Sequence, residues 1–554
     1  MKKPLERLLR DACERAIQGG ELVTTTLPPL FLSVPKVAEH GDLASNVAMM
    51  LARGEKKKPR DVAEAIVRHL RDESEILDHV EIAGPGFINF RFAPSYWWQC
   101  LRDCEAAGDQ YGRSTIGEGR RVQIEFVSAN PTGPLHVGHA RGAVTGNALA
   151  LLLRATGHDV TREYYINDAG NQMEMLGAST YARYATHCGQ ETPLPEGGYP
   201  GDYLVDIAAT IEASEGRRYL DVEPGEARAA LRDRAGSLLL DQIRQDVAAL
   251  NIQFDEFVSE RKLRADGLVA TTLDDLVAAG FVYDAEGARW FRSTDFGDDK
   301  DRPVVKSGGE FTYFAADIAY HRQKYARGFH RIIDVWGADH HGHVPRMKAA
   351  MQALGLDPAV LEVVLVQVVH LTRNGEPVRM GKRAGEFVML RDLVEDVGSD
   401  AATFFLLMRK SDAQLDFDLE LAKRQSSDNP VFYVQYAHAR IASILRQASG
   451  DGIDRAAVAG ADPARLVEPE ELALIRRLAQ FPETVEASAL ELEPHRVVFF
   501  LMELAGDFHR YYNRTRILGD DRELVAARLL LAVNVQRVVR VGLDMLGISA
   551  PETM

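Results

Sequence analysis

The segment Ser128-Ala129-Asn130-Pro131-Thr132-Gly133-Pro134-Leu135-His136-Val137-Gly138-His139-Ala140-Arg141-Gly142 lies between an apolar run and a long helical pattern that reaches Thr156. This order predicts a strand, a loop and a helix. Such a junction directs free backbone N–H groups and the positive end of a helix dipole at one point, which favours phosphate. His136 and His139 are three residues apart, so both rings lie on one face and can donate to phosphate oxygens. Gly138 leaves room for a flat base beside the backbone. We therefore expect a nucleotide site here.

Apolar strands alternate with helices on both sides of this loop, which is typical of a mostly parallel sheet. The expected strands are Val122 to Ser128, Val160 to Ile166, Ile332 to Trp336 and Val363 to Val369. The fold class is therefore α/β, with a Rossmann-like nucleotide-binding catalytic domain at residues 111–385. The stretch 190–310, which begins with a Pro- and Gly-rich run, is expected to be an insertion into this domain.

The two ends of the chain show different patterns. Residues 1–110 begin with an amphipathic helix and end in alternating strands, which predicts a small α+β domain. Residues 386–429 are expected to form a connecting helical segment. Residues 430–554 are almost wholly helical in period, which predicts an all-α bundle.

Composition limits the class of protein. The chain has 554 residues, four cysteines and a net charge of −16. This charge argues against indiscriminate polyanion binding, so a nucleic acid would have to be bound by local basic patches. Lys56 to Arg60 is one candidate, although such runs are more often solvated surface. Four cysteines provide neither a disulfide framework nor a four-thiolate zinc site, so no structural zinc or other protein-bound metal is expected.

The hydropathy pattern indicates where the protein resides. The N-terminus lacks the apolar stretch of a secretory signal, and no segment has the uncharged apolar length needed to cross a bilayer. We expect a cytoplasmic protein without a membrane partner.

Several motifs in the same order resemble the class I aminoacyl-tRNA synthetases, and the arginyl-tRNA synthetases in particular. His136-Val137-Gly138-His139 resembles the HIGH motif, within a run that begins at Glu125. The resemblance continues through Tyr164 to Gln172, Trp336 to His341 and Asn429 to His438, and so spans the chain. It implies a ligase that activates L-arginine with ATP and Mg²⁺ to arginyl-adenylate. The arginyl group then passes to the 3′ adenosine of its tRNA, with release of AMP and pyrophosphate, and a monomer is expected.

The second motif of the class is a Lys-Met-Ser-Lys loop, which Arg379-Met380-Gly381-Lys382-Arg383 resembles with Arg379 and Gly381 departing from it. Some arginyl enzymes carry a lysine just before the HIGH motif instead. Gly133 holds that place here, so the charge must come from Lys382. The resemblance makes His136, His139 and Lys382 catalytic, with an ATP-binding set of Pro131, Thr132, Gly133, Leu135, Val137, Gly138, Arg141, Gly337, Asp339, Val378, Arg379 and Met380.

A guanidinium is planar and always charged, so a selective pocket should offer carboxylates in fork geometry. The resemblance places Glu125 and Asp317 against the guanidinium, Tyr313 on the side chain, and Asn130 on the substrate backbone. Ser128 and His340 complete this set, although relatives often present an amide at the position of His340. Because lysine lacks the fork, we expect no editing domain.

The C-terminal helices interleave aromatic and basic residues, as base-stacking sites often do. By resemblance to the anticodon-binding bundle, the tRNA-binding residues are Tyr433, Tyr436, Arg440, Arg510, Tyr511 and Arg514. A helix core explains Tyr433 and Tyr436 equally well. The N-terminal domain, with Gly41 to Asn46 and Gly84 to Asn89, resembles the additional domain that touches the tRNA corner. The resemblance also implies that arginine activation requires bound tRNA.

Other classes explain less of the chain. A cysteinyl enzyme would need a thiol-selective metal site, for which the cysteine supply is poor. A simpler nucleotidyltransferase would leave both terminal domains unexplained. A metal hydrolase centred on Asp339 to His343 would contain bound zinc. A non-catalytic tRNA-binding relative would not need to keep His136, His139 and Lys382.

Overall fold

The computed structural model describes residues 2–35, 37–378 and 388–554. Its amino-terminal part is an α+β unit whose antiparallel sheet has the order β1-β2-β4-β3. Ile88, Phe90 and Phe92 alternate along the last strand and are buried, which gives the sheet one apolar face. The elements are α1 (Lys2–Gln18), β1 (Leu32–Ser33), β2 (Leu43–Ser45), α2 (Val47–Glu55), α3 (Pro59–Arg68), β3 (Leu77–Ala83), β4 (Phe87–Phe92) and α4 (Pro94–Ala107).

The middle of the chain forms a five-stranded parallel sheet with the order β12-β11-β5-β6-β7. Its elements, with the helices and the small antiparallel sheet β8–β10 that interrupt it, are β5 (Arg121–Glu125), α5 (Val137–Ala155), β6 (Asp159–Ile166), α6 (Asn171–His187), α7 (Tyr203–Glu215), α8 (Pro224–Ala248), β7 (Glu256–Ser259), α9 (Glu260–Ala265), α10 (Leu268–Ala278), β8 (Val282–Ala285), β9 (Ala288–Phe291), β10 (Arg302–Val305), α11 (Tyr313–Ala326), β11 (Arg331–Gly337), α12 (His343–Ala353) and β12 (Leu361–Val366).

The strand order reverses between β5 and β11. The chain moves from β5 to β6 and β7 on one side, and later places β11 and β12 on the other. In open α/β sheets, ligands bind outside the carboxyl ends of the strands at such a switch point. The loop with His136 and His139 leaves β5 at this point.

Three sequence predictions about this domain need correction. The strand expected at Val363 to Val369 ends at Val366, and Val369 begins a strand of a different sheet. The strand expected to reach Ser128 ends at Glu125, because Val127 and Ser128 adopt left-handed φ values of 68° and 42°. The stretch 190–310 is not a single insertion, because it contains β7, which pairs in parallel with β6. This strand has only four residues, too few for a clear alternation.

The carboxyl-terminal part continues with short elements and then a helical bundle. Its elements are β13 (Val369–Arg373), β14 (Glu376–Pro377), α13 (Leu390–Val397), α14 (Ser399–Leu407), β15 (Leu415–Asp418), α15 (Leu419–Lys423), α16 (Pro430–Gly450), α17 (Arg455–Ala459), α18 (Pro469–Leu490), α19 (His495–Arg514) and α20 (Arg522–Asp544).

The amino-terminal unit packs directly on this bundle through α4. Trp98 Nε1 donates to the carbonyl of Leu466 over 3.1 Å, and the Tyr111 hydroxyl donates to the carbonyl of Leu478 over 3.1 Å. The buried side chains of α4 belong to the same apolar core as those of α18 and α20. The two ends of the chain therefore share one packed interior.

Among the helices of the described part of the chain, none combines the length and the apolar character that a bilayer crossing requires.

Candidate active site

His136 and His139 lie together at the amino end of α5, with ring centroids 3.9 Å apart. The backbone N–H of Gly138 donates to Nδ1 of His136 over 3.1 Å, and the backbone N–H of His136 donates to Nδ1 of His139 over 3.2 Å. Because both Nδ1 atoms accept, each neutral ring carries its proton on Nε2. Burial lowers the pKa of His139 to about 4 and also lowers that of His136. Both imidazoles are therefore neutral donors near pH 7.

Gly138 has a steric role in this arrangement. A Cβ atom at position 138 would lie 2.8 Å from the ring of His136, which is closer than real side chains approach. A larger residue would push that ring out of its place at the helix end. The sequence analysis interpreted Gly138 as leaving room for a flat base beside the backbone. The structure adds that a glycine is also needed for the packing of His136.

Four residues of the expected ATP-binding set are buried, namely Pro131, Leu135, Val137 and Arg141. Leu135 and Val137 are buried in the core. Arg141 is 1% exposed, and its guanidinium donates to the carbonyls of Ala413 over 2.7 Å and Lys410 over 2.8 Å. We therefore correct the prediction for these side chains. Their positions next to the two histidines in the sequence did not show that they are buried in the core.

The described residues that follow the Lys-Met-Ser-Lys-like segment are hydrogen-bonded to the residues at the start of α5. The N–H of Val137 donates to the carbonyl of Val388 over 3.0 Å, and the N–H of Leu390 donates to the carbonyl of Leu135 over 2.9 Å. On the other side, the N–H of Val378 donates to the carbonyl of Leu371. Arg379, Met380 and Lys382 lie outside the described residues.

The loop between β5 and α5 is fixed by three side chains. The Ser128 hydroxyl donates to Glu125 over 2.8 Å, and the Tyr164 hydroxyl donates to the carbonyl of Ala129 over 2.7 Å. The Tyr203 hydroxyl donates to the carbonyl of Thr132 over 2.6 Å. These bonds hold Val127 and Ser128 in their left-handed conformations, which cost energy for residues with a Cβ atom. The conformation of the loop is thus held by hydrogen bonds within the protein.

Glu125 has partners other than those expected. Its Oε2 accepts from Nζ of the fully buried Lys324 over 2.6 Å, and its Oε1 accepts from Ser128. Both oxygens are therefore engaged by the protein. We revise the expectation that Glu125 faces a guanidinium, since sequence spacing could not show that Lys324 would neutralise it.

Asp317 is partly exposed on α11, and its Oδ2 is 3.1 Å from Nε2 of His343. The hydroxyl of Tyr165 lies nearby, and burial together with the carboxylates of Glu260, Asp317 and Glu125 raises the pKa of Tyr165. Glu260 is 1% exposed, and burial raises its pKa. Asp317 and Glu260 thus form a pair of acids beside the switch point.

Glu260 is a site residue that the sequence analysis missed. The Ser259 hydroxyl donates to Asp168 over 2.7 Å and the N–H of Arg261 donates to the same carboxylate over 2.9 Å, so Asp168 fixes both neighbours of Glu260. Both hydrogen bonds from Arg264 go to Oε1 of Glu260. Asp168 lies in the segment Tyr164 to Gln172, which resembles the family, but Ser259, which bonds to it, is 91 residues away in the sequence.

The other residues of the expected arginine-binding set have contacts of their own. Tyr313 is 52% exposed at the start of α11, and its hydroxyl is 3.8 Å from the position of a Cβ atom built at Gly170. The amide of Asn130 donates to the side chain of Gln172. Asp339 and His340 follow β11 at the carboxyl edge of the sheet, with exposed side chains 3.6 Å apart. Among residues 2–35, 37–378 and 388–554, no group of three metal-ligating side chains is found.

The carboxyl-terminal bundle brings part of the expected tRNA-binding set together. The guanidinium of Arg440 lies 4.5 Å from the ring centre of Tyr436 and 4.7 Å from that of Tyr512, and both rings are partly exposed. Tyr433 packs on His509, with ring centres 4.4 Å apart.

The remaining residues of the expected tRNA-binding set are Tyr511, Arg510 and Arg514. Tyr511 is 1% exposed and donates to Glu471 over 3.2 Å, so it is a core residue and the prediction for it is wrong. Its neighbour Tyr512 faces outward instead. Arg510 and Arg514 are exposed and pair with Asp507 and Glu470 respectively.

Family models match three parts of the chain. The arginyl tRNA synthetase N terminal domain matches residues 3–92, the class I (R) tRNA synthetase catalytic domain matches residues 104–422, and the DALR anticodon binding domain matches residues 434–554. The order of the three models follows the order of the structural units.

Whole-chain comparisons agree. An arginine--tRNA ligase of Citrifermentans bemidjiense is 50% identical over 555 residues, covering 100% of both chains. One of Moorella thermoacetica is 49% identical over 553 residues, covering 100% of this chain and 99% of its own. The solved arginyl-tRNA synthetase of Thermus thermophilus has a TM-score of 0.76 at 24% identity, covers 99% of this chain and 100% of its own, and supports the fold. The chain therefore belongs to the arginyl-tRNA synthetase family of class I aminoacyl-tRNA synthetases.

Proposed function

We propose that this protein activates L-arginine with ATP at the crevice between β5 and β11 and transfers it to the 3′ adenosine of arginine tRNA. The observation that carries the proposal is the pairing of two neutral imidazole donors with an acid pair at one switch point. The two imidazole donors suit a triphosphate, and the acid pair suits a guanidinium. The membership of this chain in the arginyl-tRNA synthetase family supports the same reaction.

The reaction needs no covalent protein intermediate. The arginine carboxylate attacks the α-phosphate and pyrophosphate leaves, so the protein must position two anions and stabilise the charge that develops. Nε2–H of His136 and of His139 would donate to the phosphates, and Lys382 would neutralise the departing pyrophosphate. The adenosine would lie along Gly138 and Gly337, with Asp339 on the ribose. We propose that Mg²⁺ enters with ATP, because in such sites it is held largely by phosphates and water.

The acid pair would set the choice of amino acid. A guanidinium donates in two directions at once, so it can bond to Asp317 and to Oε2 of Glu260 while Tyr313 covers the side chain. Lysine carries a point charge without the planar fork, so it could not bond to Asp317 and Glu260 in the same fixed geometry. Asn130 and Ser128 would hold the substrate backbone.

The terminal units would bind tRNA. Tyr436, Arg440 and Tyr512 form an exposed aromatic and cationic surface that suits unstacked bases. The N-terminal unit would touch the tRNA corner. We further propose that the enzyme is a monomer. We also propose that it is cytoplasmic, since all four cysteines are free thiols, as expected in a reducing compartment.

The decisive experiment is ATP–pyrophosphate exchange with each of the twenty amino acids, with and without tRNA. We expect exchange with arginine only, and only when tRNA is present. Exchange with cysteine, or hydrolysis without amino-acid dependence, would replace the proposed substrate. Exchange with arginine in the absence of tRNA would leave the substrate intact and refute the tRNA requirement.

A further inference from the structure

Lys324 is an unusual residue in this domain because its ammonium group lies in the core. Its side chain has 0% exposure, and Nζ lies 2.6 Å from Oε2 of Glu125 and 2.6 Å from Oδ1 of Asp334. Nζ also lies 4.5 Å from the ring centre of Tyr320. The two carboxylates belong to β5 and β11, the strands on either side of the switch point. One cation therefore joins both strands to α11.

From Lys324 one chain of hydrogen bonds runs toward the loop between β5 and α5, residues 126–136, which we call the phosphate loop. Glu125, which accepts from Lys324, also accepts from the hydroxyl of Ser128 over 2.8 Å. The backbone N–H of Tyr165 donates to that same hydroxyl oxygen over 3.1 Å. Ser128 has a left-handed φ, so its position depends on these bonds. Glu125 thus transmits the position of Lys324 to the start of the loop.

A second chain of contacts runs toward the acid pocket. Asp334 Oδ2 lies 2.7 Å from Nε2 of His321, and Nδ1 of His321 lies 2.8 Å from the backbone carbonyl of Asp317. Asp317, His321 and Lys324 lie four and three residues apart, which places them on one face of α11. The residue that fixes the loop is thus on the helix that carries the pocket acid.

Removal of this cation would leave the buried carboxylates of Glu125 and Asp334 close together, with His321 as the remaining partner of Asp334. Burial raises the pKa of Glu125, whereas Lys324 and His321 hold the pKa of Asp334 below its usual value in spite of its burial. Breaking a buried ion pair by removing one partner is costly because the other charge stays uncompensated. The strands and α11 would have to shift to relieve it.

We propose that Lys324 is a positioning residue for amino-acid activation, which sets the phosphate loop and the arginine pocket at a fixed distance through Glu125 and Asp334. The inference rests on the proposed function and adds a residue that touches neither substrate. Its loss should lower kcat more than it raises either KM, because both substrates still bind but no longer meet in the reactive geometry. A displacement of about 1 Å can cost about 100-fold in rate.

The test is a double-mutant cycle with Lys324→Met and Glu125→Gln, measured by steady-state aminoacylation with circular dichroism to confirm folding. We expect Lys324→Met to lower kcat about 100-fold with small changes in the arginine and ATP KM. Since Lys324 acts on the loop through Glu125, the double variant should lose no more than Lys324→Met alone. Additive losses, or a folded Lys324→Met variant with normal kcat, would overturn the proposal.

A matched control is Arg331→Met on β11, the strand of Asp334. Arg331 is the first residue of β11, at the amino end of the strand, and bonds to Glu362 over 2.6 and 2.9 Å. Because this pair is separate from Lys324, Arg331→Met should leave kcat unchanged. If Lys324→Met does not fold, Glu125→Gln decides alone: it keeps the Lys324–Asp334 pair, and a normal kcat would refute the inference. If the wild-type protein does not charge arginine, the proposed function fails instead, and the two failures are distinguishable.

Discussion

At the scale of single residues, the structure separates side chains that face a ligand from those that the protein itself uses. Arg141 and Glu125 both occupy motif positions and both carry charge, yet Arg141 bonds to backbone carbonyls and Glu125 bonds to Lys324. The sequence identifies a charged residue but not its neutralising partner when that partner is about 200 positions away. Asp317 and Glu260 remain as the acids beside the pocket.

Asp317→Asn and Glu260→Gln should each raise the arginine KM about 10- to 100-fold, the range for a lost hydrogen bond to a charged group. The ATP KM should change little, because neither acid borders the phosphate loop. Steady-state aminoacylation with each substrate varied in turn measures both constants. Glu310→Gln is a suitable control, since Glu310 is an exposed acid just before α11, the helix that carries Asp317. An unchanged arginine KM in both variants would move guanidinium recognition elsewhere.

At the scale of helices and strands, periodicity was sufficient for the long elements. The four expected strands of the sheet and the helix after the phosphate loop are all present. The strand β7 was missed because four residues carry little pattern, and its place in the sheet depends on pairing with β6. Glu260 follows this strand directly, so missing β7 also hid a residue of the site.

The helix α5 shows how one element joins the active site to the rest of the domain. Its first turn carries the histidines, and Arg141 in the next turn bonds to carbonyls in the segment before β15. Arg141→Met should lower the free energy of unfolding by about 3 kcal/mol, because several carbonyls lose their donor at about 1 kcal/mol or more each. Chemical denaturation measures this loss. Arg154→Met on the surface of α5 should cost clearly less, and the ATP KM of the folded Arg141→Met protein should stay near normal.

At the scale of the whole molecule, the two ends of the chain cannot be tested by simple truncation. The sequence suggested a boundary near residue 110, but α4 contributes Trp97, Leu101 and Cys104 to the core it shares with the bundle. Deleting residues 1–110 would therefore expose the apolar face of α18. A loss of charging after such a deletion would not distinguish a tRNA contact from an unfolded bundle, so surface substitutions are needed.

Phe87 offers such a substitution. It is 40% exposed beside the turn between β3 and β4, within one of the segments by which the N-terminal domain resembles the additional domain that touches the tRNA corner. Phe87→Ala should raise the tRNA KM about 10-fold, since stacking of a base on an aromatic ring is worth about 1–3 kcal/mol. The arginine and ATP KM should be unchanged, because the sheet of the N-terminal unit is separate from the parallel sheet that forms the crevice. Val23→Ala is the control, an apolar residue of the same unit that is 68% exposed. Equal tRNA KM values for Phe87→Ala and Val23→Ala would show that this turn does not contact tRNA, and would leave the C-terminal bundle to supply recognition outside the acceptor end.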